Sequence, residues 1–322
     1  MKVGVIGGGA WGTALGCVAV AAGHNAVIWA RSTATVDEIN QQKRNQTYLP
    51  DIALPAALQA STDMAQALAG AEIVLIVTPA QTTHAVLMVA KPYLAEKSAI
   101  ILCAKGIEAE TGAFLSDIAN SVLPNHKVAV LSGPGFAAEI ARGLPSAVTL
   151  AASDIDQALA LAQALSSPRF RIYASNDVRG VETGGALKNI FAIAAGAVNG
   201  AGLGASASAA LLTRGFAELK RIGEAFGGKA ETLNGLSGLG DLILTCNSAQ
   251  SRNFQFGVDL AQGRVSKALA EGSATAHIAA ELAVRNKIDA PIIAAISAVI
   301  KGQMTIENAV AALMARPIKE ER

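Results

Sequence analysis

The chain has 322 residues, 52% hydrophobic and 16% charged, with a formal net charge of +1 at pH 7. This length predicts about two domains, each able to bury a core. A nearly neutral chain argues against a nucleic-acid or general polyanion partner, so local donors must bind any phosphate. Three cysteines without a CxxC pair and four histidines without metal-ligand spacing predict a reducing, cytoplasmic compartment and no metal.

No stable insertion into a membrane is expected. The apolar stretch after Lys2 is interrupted by several glycines and lacks the cleavage region of a signal peptide. A second apolar run follows Lys188, but it is too short and too rich in glycine to cross a bilayer, which needs ~20 apolar residues.

The first 30 residues have the pattern of a dinucleotide-binding unit. A short apolar strand, Lys2–Ile6, runs into GGGAWG, which contains GxGxxG at Gly7, Gly9 and Gly12. A helix of small residues over 13–22 and a second strand over 26–29 follow. Glycines in this order form a tight turn and let backbone amides at a helix N-terminus approach a pyrophosphate. We therefore predict cofactor binding at these three glycines.

The residue after the second strand bears on the choice of cofactor. A site selective for NAD places Asp or Glu there, on the ribose hydroxyls, whereas this chain has Arg31 followed by Ser32. An arginine suits the 2′-phosphate of NADP, so NADPH is favoured and NADH remains possible. A solvated arginine at a strand end is the alternative interpretation.

Further strand signals alternate with helical spacers. They cover residues 73–77, 99–102, 128–131, 147–150 and 170–173. This alternation predicts a parallel, doubly wound sheet, in which ligands bind beyond the carboxyl ends of the strands. Lys105, Gly133 and Gly135 follow two of these strands closely. Lys105 would face bound phosphate or a polarised carbonyl there, or would be a solvated loop lysine.

The strand signals stop after residue 173, and the later periodic segments are helical. They cover residues 184–198, 207–226, 254–262, 275–286, 291–300 and 306–315. The polar, turn-forming segment 174–180 predicts the domain boundary. We therefore expect an α/β dinucleotide-binding domain over 1–180 and an all-α domain over 181–322.

Two polar residues, Lys188 and Asn189, interrupt a run of small and apolar residues at the start of the helical half. Burial would lower the pKa of this lysine toward neutrality. The glycines just before it, at 184 and 185, leave space for a ligand or for another segment of backbone. The alternative is a lysine that reaches the surface of an apolar helix and pairs with a carboxylate.

Two more polar clusters lie further along. Asp241 stands between glycines and the apolar Leu242–Leu244, where a carboxylate needs a partner; the alternative is a helix N-cap. Ser251, Arg252 and Asn253 are three consecutive donors near a predicted helix start, which suits a phosphate. An ordinary capped, solvated helix start is the alternative.

Together the motifs resemble the bacterial-type sn-glycerol-3-phosphate dehydrogenases [NAD(P)+] along nearly the whole chain. The segments that carry the resemblance are 7–15, 45–51, 104–112, 132–140, 184–196, 238–246 and 250–257. The resemblance implies a Rossmann-like domain, a helical substrate domain and a homodimer. It also implies reversible reduction of dihydroxyacetone phosphate to sn-glycerol 3-phosphate, the precursor of phospholipid head groups.

The resemblance also implies roles for individual residues. Lys188 matches the proton acceptor, with Asn189 and Asp241 as further catalytic positions. The substrate-contacting positions would be Lys105, Gly133, Gly135, Lys188, Asp241, Ser251, Arg252 and Asn253. The cofactor-contacting positions would be Gly7, Gly9, Ala10, Trp11, Gly12, Arg31, Lys105, Ala137, Arg252, Leu269 and Glu271.

Two positions depart from the pattern of the family. Ala10 stands where many members have Ser or Asn, and Gly135 where they commonly have Ser or Thr. One side-chain contact to the cofactor and one hydroxyl near the substrate are therefore missing. The enzymatic alternative is a 6-phosphogluconate or 3-hydroxyacid dehydrogenase of the same two-domain plan. A non-catalytic NADP sensor is disfavoured by the intact set of lysines, aspartate and arginine.

Overall fold

The computed structural model describes residues 1–265, 270–318 and 320. One sheet occupies the N-terminal part of the chain. Its strands are Lys2–Ile6 (β1), Asn25–Trp29 (β2), Gln59–Ser61 (β3), Ile73–Ile76 (β4), Ala99–Leu102 (β5), Lys127–Ser132 (β6), Ser146–Ala152 (β7) and Phe170–Ser175 (β8). The strand order is β3-β2-β1-β4-β5-β6-β7-β8, so the chain winds outward in both directions from β1 and β4, as a Rossmann-like sheet does.

All seven strands expected from the apolar runs are present, and the predicted fold class is confirmed. Neighbouring strands are parallel except for the antiparallel pair of β6 and β7. That pair corrects the expectation of a wholly parallel sheet. The eighth strand, β3, was not predicted, because its sequence QAS has no apolar run. Strands such as β4 are buried at every residue, since helices cover both faces of the sheet.

Helices cover the sheet and form the C-terminal part. They are Ala10–Ala21 (α1), Thr33–Asp37 (α2), Met64–Leu68 (α3), Thr83–Ala90 (α4), Leu115–Val122 (α5), Ala137–Ala141 (α6), Ile155–Leu165 (α7), Val178–Gly200 (α8), Gly204–Ala225 (α9), Ala230–Leu233 (α10), Asp241–Cys246 (α11), Arg252–Ala261 (α12), Glu271–Arg285 (α13), Pro291–Ile300 (α14) and Ile306–Met314 (α15). None of the described helices is both long and apolar enough to cross a membrane.

Helix α8 is the centre of the helical part. Every residue from 180 to 198 is buried, because α9, α11, α12 and α13 pack against the helix. The buried residues are mostly small and apolar, but they include Glu182, Lys188 and Asn189. The helix begins earlier than the predicted residue 184. Asp177 caps it by accepting from the N–H of Gly180 at 2.8 Å, and also accepts from the N–H of Lys229 at 2.8 Å. The polar segment 174–180 therefore contains a helix start as well as a turn.

Candidate functional site

The glycine turn between β1 and α1 has three glycines with different surroundings. Gly7 has a φ of +129°, and a Cβ on it would lie 2.7 Å from the carbonyl oxygen of Val77. A Cβ on Gly12 would overlap the carbonyl oxygen of Gly7. No atom of the described residues lies within 4 Å of the Cβ position of Gly9, which precedes α1 without a side-chain cap. The turn is thus tightly packed on the protein side and open at the free amides of the helix, which suits a pyrophosphate.

Trp11 connects this turn to the carboxyl end of β5. Its ring packs partly buried against the core of the sheet, and the Nζ of Lys105 lies 5.9 Å from the ring centroid, within reach of a cation–π interaction. Its Nε1 is buried and has no hydrogen-bond partner among the residues that the structure describes. Ala10 is the first residue of α1 and provides no side-chain donor there.

Lys105, Lys188 and Asp241 form one buried charge cluster. Lys105 Nζ donates to Asp241 Oδ2 at 2.5 Å and to the carbonyl oxygen of Gly133 at 2.9 Å. Lys188 Nζ donates to Asp241 Oδ1 at 2.9 Å. Only 7% of Lys188 and 1% of Asp241 are exposed. The structure therefore brings together residues from the end of β5, the loop after β6, helix α8 and the start of α11.

A fourth residue, Thr245, completes the cluster. Its Oγ1 accepts from Lys188 Nζ at 2.7 Å and donates to Asp241 Oδ1 at 3.1 Å. Thr245 was not among the site residues predicted from the sequence. The sequence did contain one signal for it: Thr245 lies four residues after Asp241, and residues four apart on a helix share a face. Asp241 is the first residue of α11 and its carboxylate is occupied by the lysines, so the interpretation as a helix N-cap is wrong.

The charges in the cluster shift one another's pKa values. Burial lowers the pKa of Lys188 to about 8, Lys105 adds to the decrease, and Asp241 opposes it. Burial alone would raise the pKa of Asp241, but Lys105 and Lys188 together hold it below its ordinary value. Asp241 therefore stays a carboxylate at neutral pH, while Lys188 can gain or lose a proton near neutrality.

The start of α12 and the start of α13 meet beside this cluster. Ser251 caps α12 by accepting from the N–H of Phe254 at 3.2 Å, so the alternative of a capped helix start holds for this residue. Asn253 is buried, and its Oδ1 accepts from the N–H of Gly272 at 3.0 Å. The side chain of Arg252, by contrast, is exposed, so an anion in solution can reach this cation at the helix N-terminus.

Glu271, the first residue of α13, faces the same region. Burial raises the pKa of its carboxyl, while Arg252, Lys105, Lys188 and a hydrogen bond from the N–H of Ala80 act in the opposite direction. Ala80 follows β4, so this carboxylate joins the helical part to the sheet next to the glycine turn. Leu269 lies outside the described residues.

The remaining candidate residues lie on several different elements. Arg31 is exposed just beyond β2, beside the cap of α2 at Ser32. Asn189 is buried next to Lys188, and Ala137 begins α6. A Cβ on Gly135 would lie 2.7 Å from the end of the Ile140 side chain.

The glycines before Lys188 have a use other than ligand space. A Cβ on Gly184 would lie 2.6 Å from the carbonyl oxygen of Ser237, and one on Gly185 would lie 2.5 Å from the Oγ of Ser132. Protein backbone and a serine hydroxyl, rather than a ligand, fill the space beside these two glycines. Of the two possibilities drawn from the sequence, close approach of another segment is the one confirmed.

Family models match both parts of the chain. The NAD-dependent glycerol-3-phosphate dehydrogenase N-terminus matches residues 2–158, and the C-terminus of the same family matches residues 177–311. The chain belongs to the NAD-dependent glycerol-3-phosphate dehydrogenase family.

Relatives within this family span the whole chain. A glycerol-3-phosphate dehydrogenase [NAD(P)+] from Mesorhizobium japonicum is 56% identical over 99% of this chain and 94% of its own length. One from Brucella ovis is 53% identical over 99% of each chain. The crystal structure of glycerol-3-phosphate dehydrogenase from Coxiella burnetii covers 98% of this chain and 99% of its own, with 36% identity and a TM-score of 0.92.

A more distant structure marks the limit of the comparison. A ketopantoate reductase from Ralstonia eutropha aligns with 94% of this chain and 98% of its own at 18% identity, with a TM-score of 0.63. At that identity only the fold is shared. In this member of the dehydrogenase family, the chemistry available comes from the buried charge cluster. Lys188 provides a titratable ammonium, Asp241 a carboxylate that stays ionised, and Lys105 a second cation.

Proposed function

We propose that the protein catalyses the reversible NAD(P)H-dependent reduction of dihydroxyacetone phosphate to sn-glycerol 3-phosphate, the head-group precursor of glycerophospholipids. The observation that carries this proposal is the pair of lysines held on one buried carboxylate. Lys188 supplies a proton near neutral pH, and Lys105 adds a second positive charge at the carboxyl end of the sheet. A small phosphorylated ketone needs both.

The open end of α1 fits the cofactor. The free amides after Gly9, together with the close packing of Gly7 and Gly12, match the requirements of a bound pyrophosphate. When bound, NAD(P)H supplies the hydride. We assign cofactor contacts to Gly7, Gly9, Ala10, Trp11, Gly12, Arg31, Lys105, Ala137, Arg252, Leu269 and Glu271. The exposed guanidinium of Arg31 suits a 2′-phosphate, so we propose a preference for NADPH, with NADH also used.

Positioning of the substrate falls to residues of both parts of the chain. Arg252 and Asn253 at the start of α12 bind the phosphate, with Ser251 holding the helix start. On the side of the sheet, the substrate is lined by Gly133, Gly135 and Lys105. Contacts on both sides fix the substrate carbonyl in one position, which removes much of the entropic barrier to reaction. Lys188 protonates the carbonyl oxygen in the reductive direction and accepts the hydroxyl proton in the oxidative one. Asp241 orients its ammonium, and Asn189 lies beside it.

The organisation of the molecule is part of the same proposal. We assign residues 1–180 to a cofactor-binding domain and residues 181–322 to a substrate-binding domain, each of which also contributes residues to the other ligand. β8 ends at Ser175 and the buried helix α8 begins at Val178, close to this boundary. A cytoplasmic homodimer is our working expectation from the family.

A direct assay tests the proposed reaction. Purified protein should oxidise NADPH with dihydroxyacetone phosphate, and should reduce NADP with sn-glycerol 3-phosphate. It should not act on 6-phosphogluconate or on the keto forms of 3-hydroxyacids, which are the substrates of the enzymatic alternative. Turnover with those compounds and none with dihydroxyacetone phosphate would overturn the assignment. Binding of NADPH with no turnover on any of them would support a sensor.

A further inference from the structure

One buried side chain outside the charge cluster contacts the glycine turn directly. Asn45 lies in the loop between α2 and β3 and is 0% exposed. Its Nδ2 donates to the carbonyl oxygen of Gly8 at 3.0 Å and to the Oγ1 of Thr13 at 2.8 Å. Gly8 is in the turn and Thr13 is in the first turns of α1, so one amide bridges the two.

The chemistry of the partners fixes the orientation of this amide. A peptide carbonyl can only accept, so the Asn45 atom that faces Gly8 must be the nitrogen. Both hydrogens of that nitrogen are then used, one on Gly8 and one on Thr13. The Oδ1 of Asn45 is left buried, with no partner in the described part of the chain. An unpaired buried amide oxygen costs free energy, which calls for an explanation beyond packing.

The rest of the loop holds itself in place without the Asn45 side chain. The backbone carbonyl of Asn45 accepts from the N–H groups of Tyr48 and Leu49 at 3.2 and 2.8 Å, and Leu49 and Ile52 are buried. The side chain of Asn45 is therefore available to act on the glycine turn rather than on its own loop.

The contact with Gly8 sets the direction of the next N–H. In a trans peptide the carbonyl and the N–H of the same unit point in opposite directions, and the described residues include no cis peptide bond. Since the carbonyl of Gly8 points toward Asn45, the N–H of Gly9 points away from it. Among the described residues that N–H has no acceptor, and Gly9 has no atom within 4 Å of its Cβ position.

We propose that Asn45 is a positioning residue that holds the Gly8–Gly9 peptide so that the N–H of Gly9 donates to the pyrophosphate of the dinucleotide. The inference rests on the proposed function for the identity of that ligand. Asn45 acts through the turn and does not touch the cofactor. Its contact with Thr13 keeps the first turns of α1 in register with the peptide, so that the amides converge on one anion.

Asn45→Asp and Asn45→Ala test the inference, with Asn40→Ala as the matched control. Asn40 lies on the same segment and also makes two side-chain hydrogen bonds to backbone, but both go to Ala60. Fluorescence titration of the full-length protein would give the Kd of NADPH, and the same titration by displacement would give the Kd of 2′-AMP, which lacks a pyrophosphate.

Both Asn45 variants should bind NADPH at least about tenfold more weakly, the equivalent of one lost hydrogen bond to a charged group. Their Kd for 2′-AMP and their kcat at saturating cofactor should stay near the wild-type values, as should all constants of Asn40→Ala. An unchanged Kd of NADPH, or an equal loss for 2′-AMP, would overturn the inference.

Two further results separate this inference from other failures. If the Asn45 variants do not fold, Thr13→Val replaces them in the test, because it removes one acceptor of the Asn45 amide and keeps the side-chain shape. Thr13→Val should bind NADPH more weakly and 2′-AMP as well as the wild type does. Unchanged NADPH binding in this variant would count against the inference. If the wild-type protein binds no NADPH at all, the proposed function fails, and this inference fails with it. If the wild-type protein binds NADPH and the Asn45 variants bind it equally well, the role of Asn45 is rejected and the proposed function stands.

Discussion

The ammonium of Lys188 lies 2.9 Å from the Oδ1 of Asp241, inside a part of the helical region where both side chains are almost wholly buried. The pair is not neutral overall, because Lys105 donates to the other oxygen of the same carboxylate. Two cations on one anion leave a net positive charge in a buried place. That charge favours an anionic ligand. Burial lowers the pKa of Lys188 to about 8, with Lys105 adding to the decrease and Asp241 opposing it.

Replacing Lys188 by Met should abolish turnover and leave NADPH binding nearly intact. The methionine fills similar space but carries no proton, and general acid–base catalysis contributes about 10²–10⁴-fold to rate. Steady-state kinetics and a cofactor titration would measure both effects. The exposed Lys97→Met serves as control and should keep the wild-type rate. Near-normal turnover in Lys188→Met would remove Lys188 from the mechanism.

The pH dependence of reduction should follow the ammonium of Lys188. Reduction needs the protonated form, so kcat/KM should be level below the pKa of about 8 and should fall above it. Oxidation needs the neutral amine and should show the opposite dependence. Asp241→Asn removes the charge that raises this pKa, so the descending limb should move to lower pH. Lys105→Met removes a charge that lowers it, so the limb should move to higher pH.

The measurement is the pH at which kcat/KM for reduction begins to fall, because Asp241→Asn and Lys105→Met are both expected to lose rate as well. Lys97→Met again provides the control and should leave the limb where the wild type has it. Movement of the limb in the same direction in both variants would contradict the arrangement of charges described for the cluster.

Two glycines of the turn should respond differently to alanine. Gly9→Ala should fold normally, since no atom of the described residues lies within 4 Å of its Cβ position. It should bind NADPH more weakly, because the methyl group would lie where the pyrophosphate approaches. Gly12→Ala should lose about 1–3 kcal/mol of stability or more through overlap with Gly7. Thermal unfolding and NADPH titration of both variants would separate the effects. Equal loss of stability in the two would contradict the geometry.

Arg31→Asp should shift the preference from NADPH toward NADH. Loss of a charge-assisted contact and the introduced repulsion should raise the KM for NADPH by roughly ten- to a hundredfold, while the carboxylate can accept from the ribose hydroxyls of NADH. The ratio of kcat/KM for the two cofactors is the measurement, with the exposed Arg171→Asp as control. A variant that keeps the wild-type ratio would show that Arg31 does not contact the 2′-phosphate.

Glu182 should make folding stability depend on pH. Its carboxylate accepts from the N–H of Ser116 at 2.8 Å, and burial raises its pKa from 4.5 to about 7. The folded protein therefore binds more protons than the unfolded chain between these values. This contribution to stability is complete below the ordinary pKa and is lost as pH rises through about 7, by at most about 3 kcal/mol.

The neutral Glu182→Gln keeps an acceptor for Ser116 and removes the titration. Its Tm should vary less than that of the wild type between about pH 5 and about pH 8, and the two curves should converge at the acid end. Glu96→Gln changes an exposed carboxylate and should reproduce the wild-type curve. Parallel curves for Glu182→Gln and wild type would show that the buried carboxyl does not titrate in this range.

Sequence patterns predicted the architecture well because the apolar strands and the glycine turn are local signals. They missed β3, whose three residues carry no apolar run, and they could not show that β7 runs antiparallel to β6. The early start of α8 was hidden because Asp177, which caps it, lies in a segment that also reads as a turn.

Within the site, the sequence identified the charged residues but not their pairing. Asp241 needed a partner, yet nothing local distinguishes Lys188 from Lys105 as that partner, and the structure shows that it takes both. Asn45 was missed because its side-chain contacts, with Gly8 and Thr13, are far away along the chain, and no spacing reveals them. Thr245 lies four residues after Asp241, but that spacing does not show its contact with the distant Lys188.

Helix α8 contains five glycines, at 180, 184, 185, 196 and 200. Each glycine within a helix costs about 0.5–1 kcal/mol relative to alanine, so α8 has little helical propensity of its own. Three of them, Gly184, Gly196 and Gly200, lie against the backbone of neighbouring segments, as Gly196 does against Phe254. During folding, α8 should therefore become stable only once α12 and the sheet have docked on it. A partly folded chain would then have no formed proton donor, and activity would return only with the last packing step.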